Sequence, residues 1–314
     1  MNILLKPGKV RRVPYETHNP NHDSIFCGDV SGNPPDVTPL ASLPWCGADV
    51  HYTESLSDET LARELAHHEE LYSGFAQRHF AKPAVRELRR HMVQRILKAT
   101  GAGRESRVLS LGCGIGDTEL LLAPHVAFVT GVDLSPAAIR QAREDARQSG
   151  LTNLEFVEGR AGDAGLRDAG FDVVIGIFFL HHLPDADFGK LARRVRGWLK
   201  AGGVFYGLDP SRYRLSGALG ALLLPRLMRR YQTPDEHELR PSETVRRFAE
   251  AGLDAHFRYY DFCSTPLAGL FPSWRWGYRL TRALDEFLIR MPLLRAVSSN
   301  FELIARKPKP EGAR

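Results

Sequence analysis

The residues best suited to chemistry lie in a glycine-rich segment near the middle of the chain. Gly112, Gly114 and Gly116 follow a short apolar run over 106-111, and Asp133 closes the next apolar run. Glycine permits a tight turn and close approach of a ligand, and a carboxylate at a strand end can accept hydrogen bonds from both hydroxyls of a ribose. The spacing therefore predicts a βαβ unit that binds a nucleoside.

The residue after the third glycine restricts the kind of nucleoside that fits. A dinucleotide-binding loop places a glycine at position 117, close to the pyrophosphate, whereas this chain has Asp117. An acid at a helix start suits the helix dipole but repels a phosphate held by the same amide groups. The loop therefore favours an adenosine-containing cofactor and disfavours phosphate binding.

Three segments in a fixed order resemble the class I S-adenosylmethionine-dependent methyltransferases, in the subgroup of ubiquinone and other small-molecule methyltransferases. Residues 106-117 are similar to the first motif of that family, 171-184 to its fourth-strand motif and 198-204 to the entry into its fifth strand. Three linked matches are more specific than one glycine loop. The resemblance implies S-adenosyl-L-methionine as the cofactor; another Rossmann-like nucleotide binder is the alternative.

The resemblance also implies a cofactor site. In the family, the first motif holds the amino-acid end of the cofactor, the acid after the second strand holds the ribose, and the next residue contacts adenine. The cofactor-binding residues expected by position are Ser110, Gly112, Cys113, Gly114, Gly116, Asp133, Leu134, Ala161, Gly162, Asp163 and Phe178.

Two positions depart from the common family pattern. Ser110 stands where many members have Asp or Glu, so less negative charge is available to orient the ammonium group of the cofactor. Arg160 stands where an acid often lies near the adenine amino group, and Asp163 replaces that acid if the loop bends back. The alternatives are a solvent-facing role for Asp163 and core packing for Phe178.

The expected reaction suggests candidate catalytic residues. Methyl transfer from a sulfonium is an in-line displacement that depends on alignment and exclusion of water. A hydroxyl acceptor must also lose a proton, a step that histidine suits at neutral pH. His181 and His182 follow the fourth predicted strand, where open α/β sheets bind ligands. We expect at most one of them to face the substrate. Tyr72 is a third candidate, with packing as its alternative.

The elements that must position these residues alternate regularly between strand and helix. Alternating βα units imply a parallel sheet covered on both faces. The predicted fold class is α/β, a doubly wound Rossmann-like seven-stranded sheet with an antiparallel last strand, a helical N-terminal cap and C-terminal lid insertions. The predicted strands cover 106-111, 127-132, 154-157, 171-177, 203-209, 253-260 and 300-306, and the main helices begin near 116, 136 and 185.

Proline content, helical periodicity and departures from the family pattern divide the chain. The predicted parts are an extended arm over 1-52, a helical cap over 53-104, a cofactor-binding core over 105-210, a lid insertion over 211-240, a continuation of the core over 241-264, a second insertion over 265-298, and the last strand and tail over 299-314.

Both insertions combine apolar and basic residues. The first contains a leucine-rich run over 215-225 flanked by arginines, and the second interleaves Trp and Leu residues with Arg275 and Arg279. The leucine-rich run is too short to cross a bilayer but suits an interface. We predict a lid that admits a small, lipophilic or aromatic acceptor, with peripheral membrane contact. A helical cap or homodimer contact packed on the core is the alternative.

Composition narrows the function classes. The chain has 314 residues, 43% hydrophobic and 25% charged, as in a globular protein, and its N-terminus has no secretory pattern, so the cytoplasm is the expected location. A net charge of +5 is modest for a nucleic-acid binder. Four cysteines without C-x-x-C spacing indicate neither a metal site nor a disulfide framework, and Cys113 is expected to be a small apolar filler.

Together these patterns predict an S-adenosylmethionine-dependent methyltransferase of a small molecule, with O-methylation favoured. N- or C-methylation and a noncatalytic regulatory protein that binds the cofactor are the alternatives. An RNA methyltransferase is disfavoured because the fourth strand is followed by Gly-Ile-Phe-Phe rather than an Asn-Pro-Pro-Tyr-like motif.

Overall fold

The computed structural model describes residues 79–160, 166, 168–217, 222 and 239–310. Four predicted site residues lie outside this part of the chain: Tyr72, Ala161, Gly162 and Asp163. The predicted arm and most of the first insertion lie outside it as well.

Within the described ranges, seven strands form one sheet in the order β3-β2-β1-β4-β5-β7-β6. Strands β1 to β5 are parallel, and β7 runs antiparallel between β5 and β6. The predicted seven-stranded fold with an antiparallel last strand is confirmed. The strands are β1 Arg107–Leu111, β2 Phe128–Asp133, β3 Leu154–Glu158, β4 Phe171–Ile177, β5 Leu199–Pro210, β6 Asp254–Asp261 and β7 Asn300–Arg306.

The helices begin where proline, serine or the glycine loop permits. Pro83, Pro136 and Pro241 each occupy the first position of a helix, where the missing N–H costs nothing, and the Ser135 hydroxyl accepts from the Ala138 N–H. The helices are α1 Pro83–Thr100, α2 Asp117–Leu122, α3 Pro136–Gln148, α4 Asp185–Trp198, α5 Pro241–Glu250, α6 Ser264–Leu270, α7 Arg275–Leu288 and α8 Pro292–Arg295, with 3-10 turns at Ala123–His125 and Leu180–His182.

Strand β5 is longer than the sequence predicts. The sequence predicts that this strand starts at residue 203, because Gly202 and Gly203 are typical of a helix end. In the structure β5 begins at Leu199, which pairs with Phe171 of β4. Gly202 takes a φ of 80° inside the strand, where it allows the irregular register between the two strands.

The sheet has an apolar layer on each face. Neighbouring residues of β1 point to opposite faces, so Val108 packs with α1 and Leu109 packs with α4 and α5. The first layer includes Met92 and Ile96, both with no exposed surface. Burial on both sides explains why the inner strands β1, β2 and β4 are mostly apolar, whereas the edge strand β3 carries Glu155 and Glu158.

The second insertion forms α6, α7 and α8, and its first two helices pack against each other and against α1. The face of α7 turned inward carries charge: Asp285 is fully buried and accepts N–H hydrogen bonds from Cys263 and Ser264 at the start of α6, at 3.1 and 2.9 Å. The buried guanidinium of Arg282 donates to the Tyr260 carbonyl at 3.1 Å. The described insertion therefore packs as a helical cap.

The outward face of α7 is apolar. Trp276 is 74% exposed and Leu280 is 70% exposed, and Leu284 and Phe287 continue the same stripe at helical spacing. Within the described residues, no helix has the length and apolar character needed to cross a membrane.

Candidate functional site

The loop between β1 and α2 depends on its glycines. Gly112, Gly114 and Gly116 have φ values of 66°, 54° and 74°, which disfavour residues with a Cβ. A Cβ on Gly112 would lie 2.6 Å from Cδ2 of Phe179, and one on Gly116 would lie 2.6 Å from Cζ of Phe156. The absence of side chains at Gly112 and Gly116 therefore lets the Phe179 and Phe156 rings pack directly against the loop.

Asp133 is held firmly at the end of β2. Its Oδ2 accepts the Gly114 N–H at 2.8 Å and its Oδ1 accepts the Ser135 N–H at 2.9 Å. Each carboxylate oxygen can accept a further hydrogen bond. Leu134 follows with 38% of its surface exposed, so an apolar side chain lies next to a fixed acceptor. This pair suits a sugar with an adjoining flat base.

A carboxyl group that sequence reasoning missed lies beside Ser110. The Ser110 hydroxyl donates to Oε1 of Glu119 at 2.6 Å, and Glu119, in the first turn of α2, is only 2% exposed. Burial, with a smaller contribution from the negative charge of Asp117, raises the pKa of Glu119 to about 7, although the Ser110 hydrogen bond opposes the rise. The missing acid at Ser110 was the signal that an acid should be sought elsewhere.

Asp117 joins the start of α2 to α1. Its carboxylate forms an ion pair with Nε of Arg89 at 2.6 Å, in a partly buried position. The acid that disfavours phosphate at this helix start is therefore paired with a guanidinium from α1.

The thiol of Cys113 has a packing role. It is buried with Ile139, Ala142 and Phe156 under the loop. Burial raises its pKa well above the ordinary value, and the negative charges of Glu119 and Asp133 add to the rise. The thiol therefore stays protonated, in agreement with its expected place as a small apolar filler.

His181 forms a pair with Asp209, a second residue that sequence reasoning missed. Nδ1 of His181 is 2.9 Å from Oδ1 of Asp209, and the backbone N–H of His181 donates to the same oxygen at 3.3 Å. Both side chains are buried. A carboxylate on Nδ1 keeps the proton on that nitrogen and leaves Nε2 as the basic atom. Asp209 is the next-to-last residue of β5, and Asp133 is the last residue of β2, so a similar sequence signal was present.

His182 occupies a different environment. Its ring lies 4.1 Å from the His181 ring, centroid to centroid, at an angle of 38°, and it is half-buried. The structure therefore separates the two candidate histidines: the Asp209 carboxylate holds His181, and His182 stacks obliquely against it.

Phe178 and Phe179 enter opposite layers at the end of β4. Phe178 has a φ of 54°, an unusual backbone conformation for a bulky residue, and its N–H donates to the Leu208 carbonyl at 2.7 Å. It packs in the α1 layer, whereas Phe179 packs in the α4 layer under Gly112. A strained backbone conformation persists only where the surrounding structure holds it, and such residues are often found at functional sites.

These residues meet because strands β1, β2, β4 and β5 are parallel. Their carboxyl ends share one edge of the sheet and supply the glycine loop, Asp133, Phe178, His181 and Asp209. The strand order reverses between β1 and β4, where doubly wound sheets form a ligand crevice. The fold and this edge define a nucleoside-binding α/β protein.

Comparison with known proteins identifies the family. A methyltransferase domain model matches residues 108–203. The chain is 30% identical over 176 residues to a ubiquinone biosynthesis O-methyltransferase of Bordetella avium, covering 54% of this chain and 70% of that protein. It is 32% identical over 114 residues to uncharacterized methyltransferase YcgJ of Bacillus subtilis, covering 36% of this chain and 44% of that protein.

Among solved structures, a SAM-dependent methyltransferase from Archaeoglobus fulgidus matches with a TM-score of 0.50 and 18% identity, over 71% of this chain and 94% of that chain. At this identity the likeness shows the fold. The chain spans less than half of the Bacillus relative and 70% of the Bordetella relative. It belongs to the class I S-adenosylmethionine-dependent methyltransferases, and S-adenosyl-L-methionine is the cofactor of that family.

The residues present fit this cofactor. Asp133 offers acceptors for two ribose hydroxyls, and its hydrogen bonds to the Gly114 and Ser135 N–H groups hold it beside the glycine loop. Oε2 of Glu119 is buried and has no hydrogen-bond partner in the part of the chain that the structure describes, so it can receive a cationic group. A ribose and an ammonium group are both parts of S-adenosyl-L-methionine.

Proposed function

We propose that the protein methylates a hydroxyl group of a small, lipophilic aromatic acceptor, of the quinol type. The observation that carries the proposal is the His181–Asp209 pair at the carboxyl edge of the sheet. A methyl transfer to nitrogen or to an activated carbon can proceed by alignment alone, but a hydroxyl acceptor gains from a positioned base. The similarity to a ubiquinone biosynthesis O-methyltransferase supports the same acceptor class.

The proposed cofactor-binding roles are supported by the site geometry. Asp133 binds the ribose hydroxyls, and Leu134 lies against adenine. The backbone of the loop at Gly112, Cys113, Gly114 and Gly116 faces the amino-acid end. Phe178 lines the crevice from the end of β4. The roles expected for residues 161-163 at the adenine and for Tyr72 at the methyl group stay predictions.

When bound, the cofactor supplies an electrophilic methyl group on a sulfonium. Its sulfur would keep the electrons of the broken carbon–sulfur bond as the acceptor oxygen takes the methyl group. Nε2 of His181 takes the hydroxyl proton, and Asp209 stabilises the resulting imidazolium through Nδ1. The atoms and charges balance without a metal ion or another reactant.

The outward face of α7 supports a lipophilic acceptor presented at a membrane surface. Trp276, Leu280, Leu284 and Phe287 form an exposed apolar stripe, and the largely exposed guanidinium of Arg290 lies at its C-terminal end. A helix with an apolar face and cationic flanks suits an anionic interface. We therefore propose peripheral contact of α7 with an anionic bilayer, with a homodimer contact as the competing use of the same face.

Replacing Asp209 tests the proposed base. Asp209→Asn should lower kcat for a phenol acceptor by about 100-fold or more, since general-base catalysis contributes about 10²–10⁴-fold. The dissociation constant of S-adenosylhomocysteine, measured by calorimetry, should stay unchanged. His181→Gln should lower kcat by a similar factor. The double variant should lower kcat little further, because the two residues act as a unit. His182→Gln is the control and should retain most activity.

The acceptor's acidity sharpens the test. A nitro-substituted phenol that is already ionised at neutral pH needs no base, so both variants should be nearly as active with it as the parent enzyme. An equal loss with acidic and ordinary phenols, or full activity of His181→Gln, would contradict the proposal. Cofactor binding without turnover on any hydroxyl, amine or carbon acceptor would instead favour the regulatory protein.

A further inference from the structure

Glu119 is a buried carboxyl group that the proposed proton transfer does not use. Its Oε1 accepts from Ser110, and its Oε2 has no hydrogen-bond partner among the described residues. Leaving a buried polar oxygen unpaired costs free energy, and the cost is greater for a charged group. The position is therefore a buried acceptor near the carboxyl end of β1 that lacks a partner in the described part of the chain.

Among the described residues, the charged groups around Glu119 leave its carboxylate without a direct counterion. Arg89 on α1 lowers its pKa, but that guanidinium is ion-paired with Asp117 at 2.6 Å. Asp117, on the same helix, raises the pKa of Glu119. Across the loop, Glu119 and Asp133 both raise the pKa of the Cys113 thiol, so two carboxyl groups flank the loop residue. A cation brought by a ligand would complete this arrangement.

We propose that Glu119, oriented by Ser110, binds the α-ammonium group of the methionine part of the cofactor. Ser110 stands at the β1 position where many family members have an acid, and its hydroxyl contacts the carboxyl group of Glu119. In this chain the acid therefore lies in the first turn of α2 instead of in strand β1. The inference rests on the cofactor of the proposed function and is independent of the acceptor.

The arrangement couples cofactor binding to a proton. Without a cation, burial holds the pKa of Glu119 at about 7, so the group is partly protonated at neutral pH. An ammonium group at Oε2 favours the charged carboxylate and lowers this pKa. Binding therefore releases a proton, and affinity should rise with pH through about 7.

Two ligands isolate the effect. S-adenosylhomocysteine carries the ammonium group, whereas 5′-methylthioadenosine shares the nucleoside and lacks the amino-acid part. Calorimetry should show S-adenosylhomocysteine binding about tenfold more tightly at about pH 8 than at about pH 6, with proton release that depends on the buffer. Binding of 5′-methylthioadenosine should change little over the same range.

Variants assign the effect to Glu119. Glu119→Gln should weaken S-adenosylhomocysteine by about 10- to 100-fold at about pH 8, the worth of one or two hydrogen bonds to a charged group, and should abolish its pH dependence. Its affinity for 5′-methylthioadenosine should remain. Glu155→Gln on β3, which removes another carboxyl group with a burial-raised pKa, is the control and should change neither ligand. Asp133→Ala should weaken both ligands because both contain the ribose.

A swap of the acid tests its location. The double variant Ser110→Asp, Glu119→Ser returns the carboxyl group to the strand and should recover most of the affinity lost in Glu119→Gln. Unchanged S-adenosylhomocysteine affinity in Glu119→Gln, or an equal loss for both ligands, would overturn the inference. If a variant folds poorly, the parent protein still provides a test, because S-adenosylhomocysteine affinity that does not change with pH would by itself overturn the inference. Failure of the parent protein to bind either ligand would instead refute the cofactor assignment.

Discussion

Helices α1 and α7 pack against each other and share an apolar layer at Tyr278, but α7 also buries charged side chains. Helix α1 turns Met92 and Ile96 inward, whereas α7 turns Arg282 and Asp285 inward and leaves Trp276 exposed. Hydrophobic burial holds the first helix, and hydrogen bonds to β6 and α6 hold the second together with the burial of Tyr278. The comparison indicates that the apolar surface of α7 is available for a function outside the core.

The largest expected difference between the two helices is in stability. Met92→Ala should lower the free energy of unfolding by about 2–5 kcal/mol, because Met92 is fully buried and its loss leaves a cavity. Leu280→Ala on α7 should change it by no more than about 0.5 kcal/mol, as for an exposed position. Urea denaturation measures the free energy of unfolding of both variants. A similar decrease in the two variants would show that the Leu280 face of α7 is packed rather than exposed.

A smaller effect tests what holds α7. Asp285→Ala removes the acceptor for the N–H groups of Cys263 and Ser264, so we expect a loss of about 1–3 kcal/mol in the free energy of unfolding. Glu250→Ala on α5, which removes an exposed carboxyl group from a different helix, is the control. Equal stability of the two variants would mean that buried hydrogen bonds do not hold α7.

The smallest effect concerns the outward face. Trp276→Ser with Leu280→Ser should reduce flotation with anionic phosphatidylglycerol vesicles by about tenfold or more, since each large apolar side chain contributes about 1.5–3 kcal/mol when buried. Trp276→Phe with Leu280→Met preserves the apolar face and should float normally. Sedimentation of the vesicle-free protein examines the homodimer alternative. Absence of flotation by the parent protein would exclude the membrane proposal.

Local sequence patterns predict the features that depend on neighbouring residues in the chain. The glycine loop, the ends of the strands and Asp133 follow from turn chemistry and from apolar runs, and all except the start of β5 lie within a few residues of their predicted positions. Contacts between distant residues were missed: Asp209 meets His181 across 28 positions of the chain, and Asp285 meets Cys263 across 22. Such pairs depend on which strands and helices become neighbours.

Glu119 shows the same limit at short range. It lies nine residues from Ser110, but a helix pattern indicates only which residues share a face. The loop sets how α2 begins against β1, and Gly116 enters the helix with a φ of 74°. The resemblance drew attention to Ser110, where many family members have an acid, but only the folded loop shows that the carboxyl group of Glu119 lies beside it.

The carboxyl groups at the start of α6 make this part of the molecule cooperative. Asp261 of β6 accepts the Thr265 N–H at 2.7 Å, and Asp285 of α7 accepts the N–H groups just before it. Because α6 takes its N-terminal acceptors from two other elements, it cannot unravel without disturbing both. Amide hydrogens of α6 and α7 should therefore exchange with solvent deuterium together, as one opening unit at the edge of the sheet.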